Sequence, residues 1–340
     1  MPTGFRPVFV VGCQRSGSTL LGAMLGSHPE MVCVPEAQFL SELMPPGSPD
    51  QPVDPVSVID AVERHWRFRV WEWDLAGRRP GPGDCPRTYR GVMEWLVRLY
   101  DRDTKTGSSS VWIEQNPGHV HNVRELLLHF PDAKVIHIIR DGRAVAASLL
   151  PLDWGPNRIL PAVHFWEQRV GRGFAAGAFL RPDQITHVRY EDIVREPEAT
   201  MRRLADFVGV DFHPSLLTSG GLRLPRFTHY QHGLVGSLPN PKRIDAWREK
   251  LKPREIEIFE ALNGDLLGYC GYELTMANPR GISVVEKILQ VGLDQGERGL
   301  NHLRFGLRRL PYVAGWGGKQ KTASGDGFAP AGTPRADMGS

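Results

Sequence analysis

Lysine is scarce in this chain, with eight residues against thirty-three arginines. The arginines form no single basic run, and a net charge of +3 with a pI near 8.7 is too mild for a nucleic-acid binder. Cysteine is equally sparse. Cys13, Cys33, Cys85 and Cys270 show no C-x2-C spacing, which excludes a zinc ribbon or a redox pair and predicts buried, reduced thiols of a cytosolic kind. No apolar run reaches the length of a membrane span. A core-like strand begins at about Pro7, where a signal peptide would need its apolar segment. A soluble, cytoplasmic protein is the expectation. No internal repeat is visible, and no acidic cluster follows the N-terminal loop to hold a metal ion.

What the chain does have is concentrated in Val8-Phe-Val-Val-Gly-Cys-Gln-Arg-Ser-Gly-Ser-Thr-Leu20. The apolar run Val8–Val11 reads as a buried strand, Gly12 breaks it into a turn of small residues, and Thr19–Leu25 reads as a helix. Strand, turn and helix start together make an anion cradle, because unpaired backbone N–H groups and the positive end of the helix dipole converge there. The spacing Gly12-x4-Gly17 is that of a P-loop, but Ser18 stands where nucleotide-hydrolysing versions carry lysine. The cation is Arg15, inside the loop.

A second element, Lys134-Val-Ile-His-Ile-Ile-Arg140-Asp-Gly-Arg-Ala-Val-Ala-Ala-Ser148, reads as a strand ending in Arg140. The helical stretch Ala144–Leu150 that follows carries Ser148 on its second turn. Alone this is also a plain βα unit capped by Arg140 and Asp141. Together the two elements resemble the PAPS-dependent sulfotransferases, in the style of the tyrosylprotein and bacterial branches. The resemblance runs over about residues 6 to 275. It includes Phe130-Pro-Asp-Ala-Lys134, the strand end Val188-Arg-Tyr-Glu-Asp-Ile-Val194, Trp247-Arg-Glu-Lys-Leu251, Leu267-Gly-Tyr269 and Gly271-Tyr272.

The alternation of strands and helices predicts an α/β fold: a P-loop-like three-layer α/β/α arrangement around a central parallel sheet. Its strands are expected at Val8–Val11, Met31–Pro35, Val111–Glu114, Val135–Ile139 and Ile185–Tyr190, with helices at His121–His129 and Glu198–Val208. Residues 41–110, broken by Pro45-Pro-Gly47 and Arg79-Pro-Gly-Pro-Gly83, read as a helical insert in a domain spanning 6–275. A C-terminal helical extension is expected over 276–316 and a disordered tail over 317–340. Within the extension, Ile282–Leu310 is amphipathic and basic. It is a candidate for peripheral membrane contact, for packing on its own domain, or for homo-oligomer contact.

The resemblance implies PAPS as donor and its 3′,5′-bisphosphate, PAP, as product, with no metal required. Arg15 and the N–H groups of Ser16, Gly17, Ser18, Thr19 and Leu20 would hold the 5′-phosphosulfate end. Arg140 and Ser148 would hold the 3′-phosphate, with Tyr190 beside it and Ser237 and Lys242 on a closing loop. For the base that deprotonates a hydroxyl acceptor, Glu36 in Val34-Pro-Glu36 is the candidate. It stands just past a parallel strand, where ligands gather in open α/β sheets, and relatives place a catalytic glutamate there; the other reading is a cap on the next helix. His119 is the reserve base. One departure is Glu114-Gln-Asn-Pro117, where many relatives have Glu-Lys-Thr-Pro, so Gln115 brings no charge. Glu114 is expected to orient its neighbours. The acceptor, a small metabolite, sugar or glycolipid, or phenol, would meet a wall from the insert near Trp66, Trp71 and Trp73. The alternatives are a P-loop nucleotide kinase or NTPase, or a catalytically impaired PAPS- or PAP-binding protein.

Overall fold

The computed structural model describes residues 5–229 and 241–314. Five strands, β1 (Arg6–Gly12), β2 (Met31–Val34), β3 (Val111–Glu114), β4 (Lys134–Ile139) and β5 (Ile185–Arg189), form one sheet in the order β2-β3-β1-β4-β5. Every pairing is parallel. β1 to β4 are buried along nearly their whole length, as their continuous Val/Ile runs require when helices cover both faces.

Helix α1 (Ser18–Gly26) leaves β1. Between β2 and β3 come α2 (Phe39–Glu42), α3 (Pro55–Arg64), α4 (Trp66–Val70) and α5 (Tyr89–Thr104). After β3 come α6 (Val123–His129), then α7 (Gly142–Leu149) and α8 (Ile159–Gly177) beyond β4. β5 runs into α9 (Tyr190–Arg195) and α10 (Pro197–Val208). The C-terminal part carries α11 (Arg226–His229), α12 (Trp247–Lys250), α13 (Pro253–Tyr269) and α14 (Val284–Val313). One face of the sheet packs on α5, α2 and the segment around Trp71 through Val92, Leu96, Tyr100, Phe39 and Trp71. The other packs on α1 and α10 through Leu21, Met24, Met201 and Leu204. The result is the expected three-layer α/β/α fold, with Gly12, Val34, Glu114, Ile139 and Arg189 ending their strands at one edge of the sheet.

Local chemistry adjusts several expected boundaries. The expected helix over 121–129 is preceded by a separate 3₁₀ turn, Pro117–His121, because Asn116 Oδ1 accepts from Gly118 N–H and starts the turn early. α7 starts at Gly142, since Asp141 caps it by accepting from Arg143 N–H. The nineteen-residue α8 has no counterpart in the sequence reading, although Ile159, Val163, Trp166 and Val170 stand at helical spacing and are buried. Among the described residues no helix is long and apolar enough to cross a membrane. Residues 315–340, and with them the expected tail, lie outside the described residues.

Candidate functional site

The loop from Gly12 to Gly17 sits at the carboxyl edge of β1. Gly12 has φ 149°, and a Cβ there would stand 2.3 Å from the Ile138 carbonyl oxygen. Gly17 has φ 98°, and its Cβ would stand 2.5 Å from the Tyr190 ring. Between them Arg15 adopts φ 71°, a left-handed conformation that costs a non-glycine residue about 1–2 kcal/mol. That backbone turn sends the Arg15 side chain across the sheet, where its Nε donates to Ser148 Oγ at 3.0 Å. The Ser16 N–H turns back onto the Cys13 carbonyl at 3.2 Å, so it is spent inside the loop and is not among the outward donors the sequence suggested. The outward donors are the first-turn N–H groups of α1 at Ser18, Thr19 and Leu20, and no side chain caps that helix. Ser16 Oγ is buried without a hydrogen-bond partner among the described residues.

Arg140, one residue past β4, reaches the same place. Its Nη1 donates to the Arg15 carbonyl at 3.0 Å, and its guanidinium lies 4.3 Å over the Tyr190 ring. Burial, and then the neighbouring Arg140 charge, pull Arg15 below the ordinary arginine pKa. Two cations held this close favour a bound anion. Arg140 Nε is buried and has no partner among the described residues.

The turn carrying Arg140 is fixed from three sides. Trp166 Nε1 donates to the Arg140 carbonyl at 3.0 Å, and Glu191 accepts from the Asp141 N–H at 3.2 Å and from the Tyr272 hydroxyl at 2.9 Å. Burial raises the Glu191 carboxyl above the usual range. Arg143, itself buried, spans Asp141 at 2.7 Å and Glu260 at 2.5 Å.

Glu36 stands beyond β2, on the wall between two cavities. The larger, of about 450 Å³, is also bordered by Gln14, Arg67, His119, His121 and Phe305. The smaller, of about 20 Å³, joins Glu36 to Thr19, Gln115 and Trp71. Burial raises the Glu36 carboxyl; Arg67, His119 and Arg15 oppose that shift, while Glu114 adds to it. Arg67 Nη1 lies 3.4 Å from Glu36 Oε2. Glu114, at the end of β3, accepts from the Ala37 N–H at 2.8 Å and from the Asn116 N–H at 3.1 Å, so it holds the turn that aims Glu36. His119 is only 1 % exposed, with Nε2 3.1 Å from Glu114 Oε2. The reserve base is thus buried against Glu114 while bordering the same cavity as Glu36. Burial and the nearby Arg169 and Arg172 push the His121 pKa down to about 4.

A family model described as the sulfotransferase family matches residues 7–214. The chain belongs to the sulfotransferase family. Protein-tyrosine sulfotransferase A of Caenorhabditis elegans is 25 % identical over 224 residues, which is 62 % of this chain and 51 % of the relative. Protein-tyrosine sulfotransferase 1 of Danio rerio is 22 % identical, over 80 % of this chain and 73 % of the relative. The omega-hydroxy-beta-dihydromenaquinone-9 sulfotransferase of Mycobacterium bovis is 28 % identical over 36 % of this chain and 33 % of its own length. The chain thus spans about half the length of the Caenorhabditis relative it matches. Among solved structures, the sulfotransferase domain from the Synechococcus PCC 7002 olefin synthase superposes with a TM-score of 0.54 at 20 % identity, covering 81 % of this chain and 98 % of that one. The sulfotransferase domain from the curacin biosynthetic pathway gives 0.53 at 17 %, over 80 % and 100 %. These likenesses agree with the three-layer fold.

In this chain the loop residues Arg15 and Gly17 meet Arg140, Ser148 and Tyr190 in one place, with Leu20 packed beside Tyr190. Lys242 is exposed on the turn Pro241–Arg243, which leads into Ile244 packed on Tyr190. Ser237 and its loop lie outside the described residues. Of the insert aromatics, Trp71 is core and donates to the Glu36 carbonyl at 3.2 Å, and Trp73 packs on Tyr100. Trp66 faces Phe227 and Phe305 near the larger cavity. Gln115 is packed against α1, where a Cβ on Gly22 would come within 2.8 Å of it, and its Oε1 has no partner among the described residues.

The residue that sequence reasoning missed is Arg67. It stacks on Trp66 at 4.3 Å, donates to Gln38 Oε1 at 3.2 Å and borders both cavities. Within Trp66-Arg-Phe-Arg-Val70 nothing separates it from an ordinary solvated arginine; only the packing of the insert brings it to Glu36. Arg169, which donates to Gln14 Oε1 at 2.8 Å, was missed as well, because only the packing of α8 brings it to the loop.

Proposed function

We propose that this protein moves a sulfuryl group from PAPS to the hydroxyl of a small metabolite, sugar, glycolipid or phenol, with Glu36 as general base and no metal ion. The observation that carries the reading is the hydrogen bond from Arg140 to the Arg15 carbonyl. It brings two cations from loops 125 residues apart in sequence together, which supports an anion site there. The orphaned Arg140 Nε and Ser16 Oγ fit a ligand rich in acceptor oxygens. The four cysteines are all unpaired, which suits a reducing cytoplasm.

When bound, PAPS supplies the sulfuryl group and a bisphosphate that leaves with negative charge. Arg15 and the N–H groups of Ser18, Thr19 and Leu20 hold the 5′-phosphate and meet that growing charge. Fixed donors of this kind are worth roughly 3–4 kcal/mol each when removed. Arg140 and Ser148 hold the 3′-phosphate, with Tyr190 backing the guanidinium. Glu36, aimed by Glu114, takes the proton from the acceptor hydroxyl in the larger cavity. Arg67 opposes the rise that burial gives the Glu36 carboxyl and supplies the cation that Gln115 does not.

The test is a thermal-shift titration. At a hundredfold excess over Kd, PAP stabilises the protein by about 2.7 kcal/mol, a rise of several degrees in Tm, whereas ATP and 5′-AMP do much less. Labelled PAPS with a panel of phenols and alcohols then reads transfer. Equal shifts with ATP and PAP would refute the reading.

A further inference from the structure

Two groups of side chains line the larger cavity beside Glu36. The first is polar and gathers around Gly118, where a Cβ would stand 3.1 Å from Asn116 Oδ1 and 3.5 Å from Gln14 Nε2. Gln14 spends its Oε1 on Arg169, and Asn116 spends its Oδ1 on the Gly118 N–H. Their NH2 groups have no partner among the described residues, and neither do the side-chain amide of Asn122 and the ring of His121.

The second group is aromatic, and α14 builds it. α14 packs on the domain with its polar side: buried Asp294 accepts from the N–H groups of Asn157 and Arg158 at 2.7 and 3.2 Å. Arg308 pairs with Asp153 at 3.0 Å, and its guanidinium lies 5.3 Å over the Phe305 ring. The loop that carries Trp154 is thus tied to α14, and Trp154 and Phe305 both border the cavity. Phe305 in turn meets Phe227 and Trp66 edge-on at 6.1 and 6.2 Å.

We infer that the acceptor is a neutral sugar, with its hydroxyls on the amides of Gln14, Asn116 and Asn122 and the C–H face of its ring on Phe305 and Trp154. A phenol or alkyl alcohol has one hydroxyl, which goes to Glu36, and leaves the amides dehydrated and unpaired. A site built to bond several hydroxyls rejects such a molecule strongly. Charge narrows the class further. Two carboxyl groups, Glu36 and Glu42, border the cavity against one arginine, Arg67, which already lies 3.4 Å from Glu36. A carboxylated sugar or an acidic peptide would meet no cation left over from that pair. The inference rests on the sulfuryl-transfer reading for the fate of the sugar, while binding alone tests the site.

Saturation-transfer NMR on the full chain, with and without PAP, compares the methyl glycosides of glucose, galactose and mannose with cyclohexanol and with the methyl glycoside of glucuronic acid. At least one neutral glycoside binds tenfold or more tightly than either control. Phe305→Ala and Asn122→Ala each weaken that glycoside about two- to tenfold and keep the parent Tm and PAP affinity, since Asn122 makes no side-chain cap to α6. The proposal is overturned if no neutral glycoside binds more tightly than cyclohexanol, if the glucuronic acid glycoside binds as well as the best neutral one, or if both variants bind the glycoside as the parent does. A chain that binds PAP but no glycoside loses the sugar site alone; one that binds a glycoside but not PAP loses the sulfuryl-transfer reading alone.

Discussion

Arg140→Ala puts the assignment of the two phosphates to measurement. The side chain has three contacts to lose: the bond to the Arg15 carbonyl at 3.0 Å, the Tyr190 ring at 4.3 Å, and whatever its Nε, without a partner among the described residues, holds when ligand is bound. Only the last is specific to the 3′-phosphate. A hydrogen bond to a charged group contributes roughly 1.5–3 kcal/mol, which at 1.36 kcal/mol per decade weakens PAP binding by about 10- to 150-fold. Loss of the neutral bond to the Arg15 carbonyl, about 0.5–1.5 kcal/mol, loosens the 5′ pocket for any nucleotide and weakens 5′-AMP by about tenfold at most. Calorimetric titration of parent and variant with PAP and with 5′-AMP closes a cycle in which one corner is a missing side chain and the other a missing phosphate. The excess loss for PAP measures their coupling. Equal losses for the two ligands mean Arg140 does not touch the 3′-phosphate, and the arrangement of the ligand proposed above is wrong.

Glu36→Gln keeps the shape of the cavity wall and lowers transfer by about 10²- to 10⁴-fold, with PAP binding and Tm close to the parent's; full turnover with the best acceptor of the panel removes Glu36 as base. Because burial raises the Glu36 carboxyl, and the base must be ionised, kcat/KM is held above that raised pKa and falls as pH drops through it. The acid limb therefore lies at higher pH than an ordinary glutamate gives and disappears in the glutamine variant, whose residual rate is flat there. Gly17→Ala combines a strained φ of 98° with a Cβ 2.5 Å from the Tyr190 ring, a cost of about 2–5 kcal/mol visible as a lower denaturation midpoint; an unchanged midpoint would mean the ring is free to move. Arg143→Met strands the buried carboxylates of Asp141 and Glu260 and costs about 3–5 kcal/mol, read by urea unfolding. A neutral result would show that the network is not needed to hold α13 against α7.

The strands and the loop were legible because each is a local pattern. Val8–Val11 and Val135–Ile139 are uninterrupted apolar runs that a sheet covered on both faces demands, and the glycines at 12 and 17 mark positive-φ positions that the structure contains. The sequence sets Arg140 and Ser148 eight residues apart, but the bond that Arg15 Nε donates to Ser148 Oγ is not visible in it. What sequence could not give is juxtaposition across distant elements. Arg67 reaches Glu36 only because the insert folds over β2. The orientation of α14 was hidden for another reason: its periodicity shows an apolar and a polar side but not which one is covered, and the contacts that turn its polar side inward are to Asn157 and Arg158, far away in sequence.

The bond between Arg140 and the Arg15 carbonyl also has a kinetic meaning. Segments that share buried hydrogen bonds tend to open as one cooperative unit rather than fraying singly. Amide exchange at residues 13–17 and 140–143 should therefore proceed with a common opening free energy, slowed together by ligand. A molecule spanning both would then escape only when the whole clasp lets go, so that departure, more than capture, sets how long it stays.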